Sequence, residues 1–128
     1  MAFIEKTNIE GNENNQKIGQ KVYFSDGFLF SSGYNDSSVN VYQLGNDSEF
    51  NYINTLGDGY DASERFGRDI KFYKNKLYVS VPDADEPKIA ILSGENFDTN
   101  NSNLISPVSK ENGFGNSIDI NDYFVAVG

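Results

Sequence analysis

Residues Arg65 to Pro82 read R-F-G-R-D-I-K-F-Y-K-N-K-L-Y-V-S-V-P, and the same pattern stands before and after it in the chain. Sliding the sequence against itself places Gly19, Gly67 and Gly115 at even intervals, since 67 − 19 = 48 and 115 − 67 = 48. A large apolar residue precedes each glycine (Ile18, Phe66, Phe114), and an apolar pair follows it at Val22 and Phe24, Ile70 and Phe72, or Ile118 and Ile120. Without a gap, the frame also aligns Leu29 with Leu77 and Val125, Ser32 with Ser80 and Gly128, and Leu56 with Leu104. A short unit that cannot bury its apolar face alone gains stability by stacking on a neighbour, so a fixed period of this length specifies an array.

Inside the unit the apolar period is two, which sends alternate side chains to opposite faces of an extended strand. Ile70 and Phe72 alternate with Lys71 and Tyr73; Leu77, Val79 and Val81 alternate with Tyr78 and Ser80. The stretch between them is Lys74-Asn75-Lys76, matched by Asp26-Gly27 in the first copy and Asn121-Asp122 in the third. Asp-Gly between alternating runs marks a hairpin, because both residues tolerate positive φ. A third strand is expected at Val39 to Leu44 and at Lys88 to Leu92, and a fourth at Phe50 to Leu56 and near Asn103 to Ile105. The expected fold class is therefore all-β: four-stranded antiparallel sheets of the size of β-propeller blades, in a partial array of about two and a half.

The unit resembles the FG-GAP repeat of integrin α-subunit-type β-propellers. Phe66-Gly67 and Phe114-Gly115 match its opening, with Ile18-Gly19 a near match; Ser80-Val81-Pro82 stands where G-A-P belongs, and Val127-Gly128 reaches the same glycine position. The acidic stretch Asp58-Gly59-Tyr60-Asp61-Ala62-Ser63-Glu64-Arg65 resembles the lead-in of bacterial versions. The resemblance spans about residues 17–128, divided as 17–64, 65–112 and an incomplete 113–128. It implies a non-catalytic module that binds a protein or glycan partner through the loops between strands, within a surface adhesin or a phage virion or tail protein.

Composition bounds the other classes. The chain has 128 residues, a formal charge of −9 and no basic cluster, so phosphate backbones and anionic membranes would repel it; nucleic acid is not an expected partner. No apolar run is long enough to insert into a membrane. The absence of Cys excludes disulfides and thiolate metal sites. Met1 to Lys6 lacks the basic and apolar regions of a signal peptide, which leads to the expectation of a soluble product unless export follows another route.

Residues 1–16 form a separate N-terminal segment. Phe3 to Ile9 resembles Tyr52 to Leu56 in pattern, consistent with an outer strand that closes a ring or with a polar docking tail. Two full units and one further hairpin cannot close a ring by themselves. Two expectations follow: a natural chain that continues past Gly128, or short chains that assemble with neighbouring subunits.

With no His and no Cys the chain has no imidazole base, thiolate nucleophile or His-based zinc site, and no phosphate-cradling loop is present. The cofactor to weigh is calcium, because the resembled family carries acidic D-x-D-x-D-G loops in some repeats. Asp83 and Asp85 follow the G-A-P-like position and Asp58 and Asp61 lie in the lead-in, although none completes that ligand series. Tyr34, Tyr42, Tyr60 and Tyr78 could form a sugar- or peptide-binding face or cover inter-unit packing, and Arg65 and Arg68 are expected to pair with neighbouring acids. Two functional classes stand at this point: a non-catalytic interaction scaffold, and an accessory propeller portion of a larger enzyme.

Overall fold

The structure, a computed structural model, describes residues 18–107 and 113–128. The expected outer strand at Phe3 to Ile9 lies outside these residues. Ten strands run in chain order: β1 (Lys21–Ser25), β2 (Phe28–Gly33), β3 (Ser38–Leu44), β4 (Phe50–Leu56), β5 (Ile70–Tyr73), β6 (Lys76–Val81), β7 (Lys88–Ser93), β8 (Thr99–Ile105), β9 (Ile118–Ile120) and β10 (Val125–Val127). Strands β1–β4 form one antiparallel meander, β5–β8 a second, and β9 and β10 a two-stranded third sheet; each sheet is open. The helical residues described are two single 3₁₀ turns, Tyr34–Asp36 and Ala62–Glu64.

The 48-residue frame is visible in the pairing register. Val22 pairs with Ser31, Ile70 with Val79 and Ile118 with Val127, each pair displaced by 48 from the one before. The first two hairpins turn where expected, with positive φ at Asp26 and Gly27 and again at Lys74 and Asn75. The third turns one residue later than expected. Asn121 N–H donates to Phe124 O at 3.0 Å, which leaves Asp122 and Tyr123 as the turn pair. Neither has positive φ; instead Asn121 Oδ1 accepts the N–H groups of Tyr123 and Phe124 at 2.8 and 2.9 Å, an Asx-type arrangement. Strand β8 is longer than the expected Asn103 to Ile105, because pairing such as Ile91 with Asn101 and Ser93 with Thr99 extends it through polar residues.

Each sheet has a front face toward the preceding unit and a back face toward the next. On the first sheet's back face Phe30 sits between Tyr23 and Val41, its neighbours in register. The front face of the second carries Ile70, Phe72, Leu77 and Val79, each no more than 6% exposed. The two faces meet through rings: Phe72 lies 5.6 Å from Phe28 and 5.7 Å from Phe30, and Phe97 contacts all three. Fourteen buried side chains, from the two sheets and from the connections at Phe66, Ala84 and Phe97, form one apolar cluster. Burying an apolar side chain of this size stabilises by roughly 1.5–3 kcal/mol, so each sheet depends on its neighbour.

The repeated glycine explains how closely the sheets approach. A Cβ on Gly67 would lie 2.8 Å from Val39 Cγ2 and 2.9 Å from Ser32 Cβ on the sheet before; on Gly115 it would lie 3.3 Å from Ser80 Cβ. The small residue of one unit thus seats on the small residue of the preceding one, 67 − 32 and 115 − 80 both being 35. Gly67 also has φ +95°, in the region that penalises side chains. Gly19, at φ +88°, has nothing within 4 Å of the same point. Gly67→Ala is expected to cost about 2–4 kcal/mol, from backbone strain plus overpacking, and Gly19→Ala about 1–2 kcal/mol from strain alone. Urea unfolding of the two variants checks this ordering; equal losses would contradict the close-approach account.

Candidate binding cleft

Leaving β4 at Leu56, the chain makes a tight turn in which Tyr60 N–H donates to Gly57 O at 3.0 Å. Asp61 N–H then donates to Glu64 Oε2 at 2.7 Å, the backward half of a capping box, and starts the 3₁₀ turn Ala62–Glu64. Ser37, 2% exposed, ties this lead-in to the first unit: its hydroxyl donates to Asp61 O at 2.6 Å and accepts Phe66 N–H at 3.1 Å. The Tyr60 ring stacks on Phe66 at 4.8 Å, and Lys88 Nζ lies 5.9 Å from its centroid. Burial, and secondarily the Glu64 carboxylate, push the Tyr60 hydroxyl above its ordinary pKa.

These contacts shape an open cleft of about 330 Å³ between the end of β4 and the β7–β8 connection. Its apolar lining is Leu56, Phe66, Leu92 and Phe97, all buried; its more exposed polar lining includes Asn54, Thr55, Asp58 and Asp98. Asn54 Nδ2 bridges the two units by donating to Asn96 O at 2.9 Å. Such an arrangement offers carboxylate and hydroxyl acceptors above an apolar floor.

A second cleft, of about 380 Å³, lies between the β5–β6 and β9–β10 hairpins. There Lys74 Nζ is 2.6 Å from Asp122 Oδ1, and the Tyr73 hydroxyl donates to the same carboxylate. Both contacts hold the Asp122 carboxyl below the usual aspartate range, Lys74 contributing most. Reciprocally, the hydrogen bond to Asp122 raises the pKa of Tyr73 and of Lys74.

Asp69, 4% exposed, joins all three sheets. Its Oδ1 pairs with Lys21 Nζ at 2.9 Å and accepts Ile70 N–H at 2.9 Å; its Oδ2 accepts Ile118 N–H at 2.6 Å. Its own N–H donates to Ser80 Oγ at 2.7 Å. A carboxylate this buried is tolerated because a cation and two N–H donors replace water. Sequence reading did not single out this residue. The available signal was positional: the residue just before the first front-face position is Lys21, Asp69 and Ser117 in the three copies, polar each time.

The calcium candidates are all exposed. Asp83 is paired with Arg65 Nε at 3.0 Å, and its N–H donates to Glu64 O, so the loop after β6 lies against the lead-in containing Asp61. Asp58 lines the first cleft. Asp85 stands in the loop between β6 and β7. Among the described residues no group of three or more His, Cys, Asp or Glu is close enough to hold a metal ion. The tyrosines are spread over different contacts rather than one surface: Arg68 lies 4.8 Å over the Tyr34 ring, Tyr42 meets Tyr52 edge-on at 5.9 Å, Tyr60 stacks on Phe66, and Tyr78 lines the second cleft. Burial chiefly raises the Tyr42 pKa. The expectation for the arginines therefore divides, Arg65 pairing with an acid and Arg68 packing on an aromatic ring.

No helix among the described residues is long and apolar enough to cross a membrane. No protein-family model, curated protein or solved structure matches the chain.

Asp69→Ala is expected to destabilise by about 2–4 kcal/mol, since it strands two buried N–H donors. Lys21→Met should cost about 1–3 kcal/mol, since it takes the cation from a carboxylate that is 6% exposed while leaving both N–H donors in place. Urea denaturation measures both losses. For Asp122 the folded pKa is lowered, so its pairing supports the native state above the ordinary aspartate value of about pH 4 and is lost as pH falls through the folded value. Carboxyl-detected NMR should show Asp122 titrating below the ordinary aspartate value, and Asp122→Asn should return the Tyr73 hydroxyl toward its ordinary pKa.

Proposed function

We propose that the chain is a non-catalytic scaffold of the β-propeller kind, its sheets serving as blades, that holds a protein or glycan partner. The observation that carries this reading is the recurrence of one sheet-to-sheet contact in a 48-residue frame: Gly67 on Ser32, then Gly115 on Ser80. Four-stranded meanders stacked front to back are how propeller blades build a core, and the FG-GAP-like placement of the small residues agrees with it. On this reading the units supply rigidity, while the turns joining them supply recognition.

The cleft lined by Asp58 and Asp98 is the contact surface this proposal assigns. Carboxylates there would accept hydrogen bonds from sugar hydroxyls or from peptide N–H groups, with Leu56 and Phe97 beneath. Passing the intact chain over immobilised oligosaccharides and, separately, an array of extended peptides tests the assignment. Retention on one of them is expected, falling about tenfold when Asp58→Asn and Asp98→Asn are combined, the loss of one or two charge-assisted hydrogen bonds. Binding that survives the double substitution would move the contact surface elsewhere. Retention on neither array would overturn the binding role.

A further inference from the structure

The large apolar side chains left exposed among the described residues are not scattered. Val22, Phe24, Leu44 and Tyr52 share the front face of the first sheet, and Tyr123, Phe124 and Val125 lie along the turn and the start of β10 in the third hairpin. In the 48-residue frame Val22 and Phe24 correspond to Ile70 and Phe72. The first pair is 55% and 56% exposed, whereas the second is 0% and 6% exposed under the sheet before it. The front face of the first sheet is thus built for the same contact and lacks its partner among the described residues.

The opposite end carries the complementary half. Counting 96 residues on from Phe28, Phe30 and Ser32 gives Phe124, Ala126 and Gly128. Phe28 and Ser32 are the residues against which Phe72 and Gly67 pack. Phe124, Ala126 and Gly128 are all exposed. Gly128 also holds its own unit as Ser80 does: Gly115 N–H donates to Gly128 O at 2.9 Å, as Gly67 N–H donates to Ser80 O at 3.0 Å.

We infer that a second copy of this chain docks head to tail, the Phe24 face of one copy receiving the Phe124 face of the other. In that contact Phe124 meets Phe24 as Phe28 meets Phe72, and Gly128 seats beneath Gly19 as Ser32 seats beneath Gly67. The open space at Gly19 is what such seating requires. The two faces are different patches, so the contact is heterologous; it closes into a ring or extends as a filament according to the rotation between copies. The inference rests on sheet packing within the chain and is independent of any ligand in the cleft.

Sedimentation velocity of the intact chain over a concentration series tests it. The unsubstituted chain is expected to associate progressively. Phe24→Asp and Phe124→Asp should each raise the concentration for half-association by roughly a hundredfold, the loss of a buried aromatic contact. Both side chains are exposed in the isolated chain, so unchanged circular dichroism should accompany the loss. Mixing the two variants provides the decisive readout, because each keeps one intact face: equimolar mixtures should form dimers that grow no further. A monomeric unsubstituted chain, single variants that associate as it does, or a mixture that stays monomeric would each overturn the proposal.

Discussion

The spacing between adjacent sheets is the constraint on which the rest of the molecule depends. Phe72 can reach both Phe28 and Phe30 only because the backbone at Gly67 lies almost on Ser32, with no room for a Cβ. A side chain at that point would wedge the two sheets apart and open the aromatic cluster between them. The first two sheets are only four short strands each, and a meander of that size has too little core of its own. Stability is therefore a property of the stack, supplied by contacts between units more than within them.

Apolar packing is tolerant of small slides, and polar contacts remove that freedom. Asp69 can satisfy Lys21, Ile70 and Ile118 together at only one relative placement of three sheets. The frame puts Lys21 and Ser117 at the equivalent positions, so the clasp exists once and marks the middle unit as different from its neighbours. Ser37 does similar work at the other side of the interface, joining the lead-in of the second unit to the end of the first. The repeats are alike in what they bury apolarly and individual in their polar ties.

What sequence could reveal divides along the same line. Strands β5 and β6 were legible because their apolar residues alternate with period two, and the 48-residue frame carried that reading to β1 and β2. Most of β8 was not legible: Thr99 to Asn103 has no apolar alternation, and that stretch is a strand because β7 offers backbone partners to it. The third turn was misplaced by one residue, since Asn121-Asp122 has turn chemistry while the pairing of Asn121 with Phe124 decides the register. Asp69 escaped notice because a lone aspartate beside an apolar run reads as solvated unless the sheets on both sides are known. The cleft escaped for the same reason, its lining coming from residues as far apart as Asn54 and Asp98.

Variation along the chain also follows from the stacking. Positions inside the sheet-to-sheet contact keep their spacing and their type across copies: glycine at 19, 67 and 115, and small residues at 32, 80 and 128. The connections facing away from that contact do not. The segment from the end of β2 to the start of β3 contains a 3₁₀ turn, whereas the matching segment after β6 is longer and carries Asp83, Asp85 and two buried prolines, Pro82 and Pro87. An added residue in such a loop costs little entropy, and its main effect would fall on the ties that Ser37 and Asp83 make to the lead-in. An added residue within a strand would flip every following side chain to the wrong face. A fold organised this way can change its surface chemistry at its turns while the 48-residue frame beneath it stays fixed, because the frame is set by the contacts between sheets and the turns are not.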